Sequence, residues 1–281
     1  MQVTDMLRGG EGDITRRMWA RMTGSRITDA EAAALKRWAP GERFYHPLMA
    51  RVVIATSRFI TVRLNELEVV GRELLDEARL RRSGGLLTIS NHVSLFDDPL
   101  LIANFVSGPY RDIRWVGADA INFFGSPLKS WLFTAGKSVP IVRGAGIQQP
   151  GMDFLRDRLL DGEWVHMFPE GGRTRDPNSL MSDFHPGVGW LVSETRPLVL
   201  PFYHYGMQNV LPVGSIRPRG GNVVKVWFGD TIECDEDWVA SFTERAGTHL
   251  WHAIAGRLQE KVRKLEGKVN PLATAEGIIN A

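Results

Sequence analysis

The chain has 281 residues, 43% of them hydrophobic and 23% charged, which suits a folded globular protein and argues against a disordered one. Its 34 lysines and arginines stand against 32 acids, for a formal charge of +2; a dedicated nucleic-acid binder is disfavoured and any anion site must be local. A single cysteine, Cys234, excludes an internal disulfide and a multi-cysteine metal cluster, and its acidic setting, ECDEDW, disfavours a thiolate.

The opening MQVTDMLRGGEGDITRR carries acids and lacks a continuous apolar core, so it does not read as a signal peptide. Residues 1–45 read as a helical appendage: TDAEAAALKRWAPG opens with a Thr28 and Glu31 capping-box pattern and stops at Pro40 and Gly41. From Pro47 to Leu64 the chain is the most apolar, but Arg51 and Arg58 interrupt it, so it is not expected to span a membrane. Helical spacing puts Leu48, Met49, Val52, Ala55, Phe59 and Ile60 on one face and Arg51, Ser57, Arg58 and Thr61 elsewhere. Such a helix suits a membrane interface or, equally, docking on the core; Arg63, Arg72 and the run RLRR at 79–82 add charge suited to anionic lipid.

From residue 86 onward, short runs rich in β-branched and aromatic residues (LLTIS, IRWVG, SVPIV, EWVHMF, PLVLPFYHY, VVKVWFG) alternate with helical stretches. This predicts an α/β fold with a largely parallel mixed sheet flanked by helices. GMDFLRDRLLDGE and HPGVGWLVSETR are the expected crossover helices. The region from about Asp235 to Leu265 spaces Trp251, Ile254, Leu258, Val262 and Leu265 as a long amphipathic C-terminal helix. Residues 46–265 then form one domain and 266–281 a tail.

Three segments carry chemistry. In ISNHVSLFDDPLL, His92 follows a strand, and Asp98 before Pro99 resembles a helix N-cap, which leaves Asp97 to fold back on one imidazole nitrogen and make the other basic. The spacing alone leaves a core histidine as good a reading. EWVHMFPEGGRTRDP ends a strand with glycines and with Arg173 and Arg175, side chains able to grip phosphate oxygens in bidentate fashion. GKSVPIVRG bears Lys137 and Arg143, a further basic strand end.

Taken in order, NHVSLFDDP, GKSVPIVRG, FPEGGRTR and VLPFYH resemble the four blocks of the glycerolipid acyltransferases, the family of the lysophosphatidate acyltransferases, over about residues 47–232. Within it, GMDFLRDRLLDGEWVHMFPEG and VLPFYHYGMQNVLP look most like the tafazzin-type phospholipid-lysophospholipid transacylases, whereas GRTR resembles the bacterial lysophosphatidate enzymes. The resemblance implies His92 as general base, oriented by Asp97. It further implies Arg143, Glu170, Gly171 and Arg175 on the acceptor's glycerol phosphate, with Arg173 beside them and Pro201 shaping the site. Asn91, Ser94 and Lys137 are expected to support it. A lysophospholipid and an acyl donor are the implied partners, the donor being acyl-CoA, an acyl carrier protein or another phospholipid, with no metal or bound cofactor; a peripheral or monotopic place on the cytoplasmic face of the inner membrane is expected. INFFGSPLKSWLF at 121–133 would line an acyl pocket, dip into the bilayer or be plain core.

Rival readings are a serine hydrolase, since Ser90 and Ser94 flank His92, though no GxSxG occurs. Others are a non-enzymatic lipid-surface scaffold, and a metalloenzyme using His166, His185 and His204, residues without ligand spacing. His166 and His204 read more simply as satisfied core residues.

Overall fold

The computed structural model describes residues 27–40, 43–81, 84–99, 103–106, 108–242 and 246–275. The expectations for residues 1–26 and 276–281, and Arg82 of the basic run, lie outside these.

The helices used below are α1 (Asp29–Arg37), α2 (His46–Arg58), α3 (Arg72–Leu80), α4 (Ala120–Phe124), α5 (Pro127–Ala135), α6 (Pro150–Leu160), α7 (Gly187–Thr195) and α8 (Thr248–Val269). The strands are β1 (Glu66–Val70), β2 (Leu86–Ile89), β3 (Trp115–Asp119), β4 (Ser138–Ile141), β5 (Trp164–Met167), β6 (Leu198–Tyr205), β7 (Val223–Phe228) and β8 (Ile232–Glu233). All six expected strands and both crossover helices form. The sheet order is β1-β7-β6-β2-β5-β3-β4, with β8 on β6, and every pairing is parallel except β6 with β7 and with β8. The largely parallel mixed sheet is thus as read; β1 was not picked out because ELEVV shows its pattern only as an edge strand, with burial alternating along it.

Both faces of the central strands are covered, which is why they are apolar throughout instead of alternating. Leu87, Ile89, Val165 and Val199 pack with Leu155, Leu191 and Leu258 on one side. Leu86, Leu200, Phe202, Val226 and Phe228 pack with Leu75 and Phe105 on the other. The reversal from β6 to β7 starts at Gly206, with φ +104°, where a Cβ would lie 2.1 Å from the Val223 carbonyl oxygen; only glycine fits.

Two expected boundaries need correction. The described part of the segment before residue 46, residues 27–40, packs on the domain: α1, with its capping box formed, buries Leu35 completely and Trp38 donates its indole N–H to the Ser138 carbonyl at 3.0 Å. Apolar residues at 34, 35 and 38 give α1 a buried face, and it packs against α4 and, through Trp38, on Phe154 of α6. The domain also does not stop at 265, because α8 runs to Val269 and Glu266 is buried, accepting from the Met181 N–H at 2.7 Å and the Tyr203 hydroxyl at 3.2 Å. Nor does the long helix begin near Asp235: a short separate helix, Glu236–Ala240, is capped by Asp235 and precedes it. Cys234 is buried, and burial pushes its thiol up to about 12, in keeping with an unreactive side chain.

Helices α7 and α8 are in backbone contact at Gly189, where a Cβ would sit 1.9 Å from the Trp251 carbonyl oxygen. Gly189→Ala is therefore expected to destabilise the fold by about 3 kcal/mol in urea unfolding. Gly256→Ala, on the same α8 but with open space around it, is expected to be neutral or to stabilise by up to about 1 kcal/mol.

Candidate active site

The site lies past the carboxyl end of β2, at the centre of the sheet, where loops from neighbouring parallel strands converge. His92 is held at every backbone and ring position that matters. Its N–H donates to Glu170 Oε1 at 2.7 Å, and its carbonyl accepts from the Thr174 N–H at 2.8 Å. Its ring stacks on Phe168, with centroids 4.2 Å apart and planes 21° apart. Nδ1 lies 2.8 Å from Asp97 Oδ2, while the imidazole keeps 17% of its surface exposed. Among the described residues no hydrogen bond engages Nε2, the nitrogen left for chemistry.

Asp97 is fully buried, and the same Oδ2 also accepts the backbone N–H of Val93 at 2.7 Å and of Ser94 at 2.8 Å. Burial works to raise this carboxyl, but nearby His204, the His92 hydrogen bond and the Ser94 N–H outweigh it and hold Asp97 below its ordinary value. Accepting from Nδ1–H fixes the His92 tautomer with Nε2 bare.

The neighbouring carboxylate does not cap a helix as expected. Asp98 is gripped by Arg114, whose Nε donates to Oδ1 at 2.8 Å and whose Nη2 donates to Oδ2. Arg114 is 7% exposed and also donates to the Gly136 carbonyl, so a buried guanidinium takes the nearest acid as its counter-charge. Residues 100–102 of the helix expected to follow lie outside the described residues, and Ala103–Phe105 is a single turn. Arg114 was missed from sequence; its one signal is an arginine opening the apolar run IRWVG.

The two strand-end loops do meet. Thr174 is bonded to His92, which places the flanking Arg173, partly buried, and Arg175, exposed, at the mouth of the site. Gly171 takes φ +66° and approaches His185 so closely that a Cβ would lie 2.7 Å from its Cδ2. At Gly172 a Cβ would lie 3.8 Å from Arg143 Nη1, so Arg143 joins the same rim, where it also pairs with Asp119 at 3.0 Å.

Three supporting assignments change. Glu170 is a clasp and not a substrate contact: it is 5% exposed, and its second oxygen accepts the Ser182 N–H at 2.7 Å. With one oxygen on each backbone donor and little surface exposed, this acid is engaged in joining two loops. Burial pushes this carboxyl from 4.5 up to about 7, against the pull of the two N–H donors. Lys137 stands at the start of β4, the far end of the sheet from His92. There it lines a cleft of about 920 Å³, lies 3.7 Å from Glu163 and donates to the Arg111 carbonyl at 2.8 Å. Pro201 is buried inside β6, level with Ile89 at the end of β2 and beside Gly229.

Asn91 and Ser94 act through hydrogen bonds. Asn91 clasps the end of β6, donating to the His204 carbonyl at 2.9 Å and accepting the His204 N–H at 3.0 Å. The Ser94 hydroxyl donates to the Leu211 carbonyl at 3.1 Å and that of Ser90 to the Asn91 carbonyl at 3.0 Å, so both protons are committed. His166 and His204 are fully buried, one on β5 and one on β6, and burial lowers both. His166 Nδ1 lies 2.9 Å from the Thr88 hydroxyl. They are core residues, although His166 Nε2 and His204 Nδ1 have no partner among the described residues. No group of three His, Cys, Asp or Glu side chains among the described residues is placed to hold a metal ion.

Residues 67–205, from β1 to the end of β6, match the family model described as Acyltransferase. The chain is 37% identical over 187 residues to the Dictyostelium discoideum protein named "Taffazin", covering 63% of this chain and 64% of that one. It is 35% identical over 246 residues to Drosophila melanogaster Tafazzin, covering 82% and 64%. Over 161 residues it is 35% identical to an Arabidopsis thaliana N-acylphosphatidylethanolamine synthase, covering 53% and 56%. The chain thus spans under two thirds of the length of these relatives. Among solved structures, the 1-acyl-sn-glycerophosphate acyltransferase of Thermotoga maritima shares the fold, with a TM-score of 0.52 at 17% identity over 89% of this chain and 88% of that one.

Replacing Glu170 tests the clasp. Glu170→Gln substitutes a donor for one of two acceptors, so the His92 or Ser182 N–H loses its partner; folding stability is expected to fall by about 1–3 kcal/mol at neutral pH. The pH dependence has a defined sign. The folded value of about 7 lies above the ordinary 4.5, so the protonated acid's contribution is complete below 4.5 and is lost as pH rises towards 7. Thermal midpoints measured from pH 4.5 to 8 should show the wild type losing stability relative to Glu170→Gln across that window.

Proposed function

Residues 67–205 are a domain of the acyltransferase family, and on that premise we propose that the chain transfers a fatty acyl group to the hydroxyl of a lysophospholipid with His92 as general base. The observation that carries this is the His92 Nδ1 to Asp97 Oδ2 bond of 2.8 Å on a fully buried carboxylate, which leaves Nε2 unprotonated on a ring that keeps 17% of its surface exposed. The acceptor hydroxyl gives its proton to Nε2 as its oxygen attacks the acyl carbonyl carbon. The tetrahedral oxyanion is stabilised by a backbone N–H or an arginine, and as it collapses the leaving group takes the proton back from His92. No acyl-enzyme is needed, and the committed hydroxyls of Ser90 and Ser94 disfavour the serine-hydrolase reading.

Arg175, Arg173 and Arg143 bind the phosphate of the acceptor on the rim above Nε2. The tafazzin-named relatives favour transacylation between phospholipids, as in phospholipid remodelling. The retained arginine pair of GRTR favours a second reading, 1-acylglycerol-3-phosphate acylation from acyl-CoA or an acyl carrier protein. Neither route calls for a bound cofactor.

We further propose that the enzyme sits on a membrane surface. Among the described residues no helix is long and apolar enough to cross a membrane. Instead α2 is turned apolar side out: Leu48 (64% exposed), Val52 (58%) and, in the π-helical turn Phe59–Arg63, Phe59 (56%) and Val62 (54%) face outward, while Ala50, Ser57 and Thr61 face the protein. Met49 and Ile60 of the expected stripe are only half-exposed. Exposed Leu128 and Trp131 of α5 extend the apolar surface, with Trp131 against Tyr45 at the start of α2, while Phe124 of the 121–133 segment is core. Beside the turn, Arg58, Arg63 and Arg72 rim a groove of about 420 Å³, suited to anionic headgroups. At the site mouth Leu95 and Phe96 are exposed, as are Val213 and Ile216 on the loop beyond Leu211. The cytoplasmic face of the inner membrane, as a peripheral or monotopic protein, is the proposed location.

In mixed micelles of labelled lysophosphatidate or lysophosphatidylcholine, with and without acyl-CoA, His92→Ala is expected to lose at least about a hundredfold in rate. A folded His92→Ala protein that transfers acyl groups near the wild-type rate would sink the mechanism. Transfer without CoA identifies the transacylase route. Leu48→Glu with Val52→Glu is expected to abolish co-flotation with anionic vesicles, whereas His92→Ala should float normally; unaltered flotation of the double variant would overturn the interfacial placement.

A further inference from the structure

Behind the His92–Asp97 pair stands a second histidine that the proposed mechanism does not use. His204 is fully buried near the end of β6, and its Nε2 lies 3.7 Å from Asp97 Oδ2, the same oxygen that takes the His92 Nδ1–H. The tautomer of His204 follows from its other neighbour. Nε2 is 3.1 Å from the Asn91 carbonyl oxygen, which can only accept, so Nε2 carries the proton and Nδ1, without a partner among the described residues, is bare.

The ring cannot swing away. Asn91 holds the His204 backbone from both sides, donating to its carbonyl and accepting its N–H. Phe202 lies two residues before it, with ring centroids 6.3 Å apart. The titratable groups around it are Asp97 and His92 on the loop after β2 and His166 on β5; Arg114 acts on His166 in turn. On the antiparallel neighbour β7, Lys225 is exposed and pairs with Glu68 of β1. Burial, with His92 beside it, outweighs the pull of Asp97 and lowers His204, so its neutral form acts on Asp97 through a fixed N–H dipole.

We infer that His204 is a positioning residue for the acyl transfer: its Nε2–H edge, locked by Asn91, faces Asp97 Oδ2 from behind and keeps that carboxylate ionised and turned towards His92. The inference rests on the reading of His92 as general base. It also accounts for how one oxygen serves three hydrogen bonds while Asp97 Oδ1 has no partner among the described residues: every donor in reach converges on Oδ2.

The test compares His204→Phe with His204→Gln in the full chain, the glutamine keeping an N–H donor and the phenylalanine only the ring volume. In the micelle assay His204→Phe is expected to lower kcat by about tenfold or more with little change in KM for labelled lysophosphatidate. The acid limb of its pH profile should move to higher pH, and His204→Gln should recover most of the rate. NMR of protein labelled at its aspartate carboxyl carbons gives a readout independent of turnover: Asp97 should titrate at higher pH in His204→Phe than in the wild type. Equal losses in both variants with an unmoved acid limb and unmoved Asp97 titration would reduce His204 to packing and overturn the inference. Normal His204→Phe activity alongside a dead His92→Ala would overturn it while leaving the base intact. An active His92→Ala would instead remove the premise.

Discussion

A carboxylate with no access to water, that of Asp97, sets the terms for everything around the site. An ionised acid at zero exposure is tolerable only if donors replace its hydration shell. The donors here are the Val93 and Ser94 N–H groups and the His92 ring. Supplying two consecutive backbone N–H groups to one oxygen forces the chain after β2 into a tight loop, and that loop in turn fixes where His92 points. The loop can exist only where the neighbouring strands close it off, with Asn91 tying it to β6 and Thr174 and Glu170 tying it to the segment after β5.

A second layer of buried acids repeats the device farther out. Glu170 joins the His92 N–H to the Ser182 N–H, and Glu266 of α8 joins the Met181 N–H to the Tyr203 hydroxyl. Burial raises both carboxyls, and burial with Glu266 nearby raises the Tyr203 phenol as well. Segment 170–182, which has no regular secondary structure of its own, is therefore held by side-chain acids at both ends. The C-terminal helix belongs to the site's support through this chain of contacts.

How much of this was legible beforehand follows from physics. Strands and crossover helices announced themselves because burial on two faces requires unbroken apolar runs, and His92 with Asp97 stood out because a short local loop joins them. Edge strand β1 was not legible, since half-burial with charges on the outer side resembles a surface segment. Glu170 was assigned through the resemblance, Asp98 from the proline after it and Lys137 from its place beside a strand, each from its neighbours in sequence. Their partners, namely Ser182, Glu163 and Arg114, are 12, 26 and 16 residues away, and only the folded chain reveals them. His204 was dismissed as core, correctly as to burial, because no local pattern connects it with a loop more than a hundred residues earlier.

The double attachment of His92 to the loop after β5 has a metric consequence. Its N–H is tied to residue 170 and its carbonyl to residue 174, so the base and the arginines at 173 and 175 ride on one short stretch of bonded backbone. Displacement of that stretch moves His92 and the backbone of both arginines together. On the function proposed above, this shared anchoring is what would relate an anion held by the arginines to Nε2. A glycerol backbone offers its hydroxyls at different numbers of bonds from its phosphate, so with the acceptor proposed above such anchoring would favour one hydroxyl position over another.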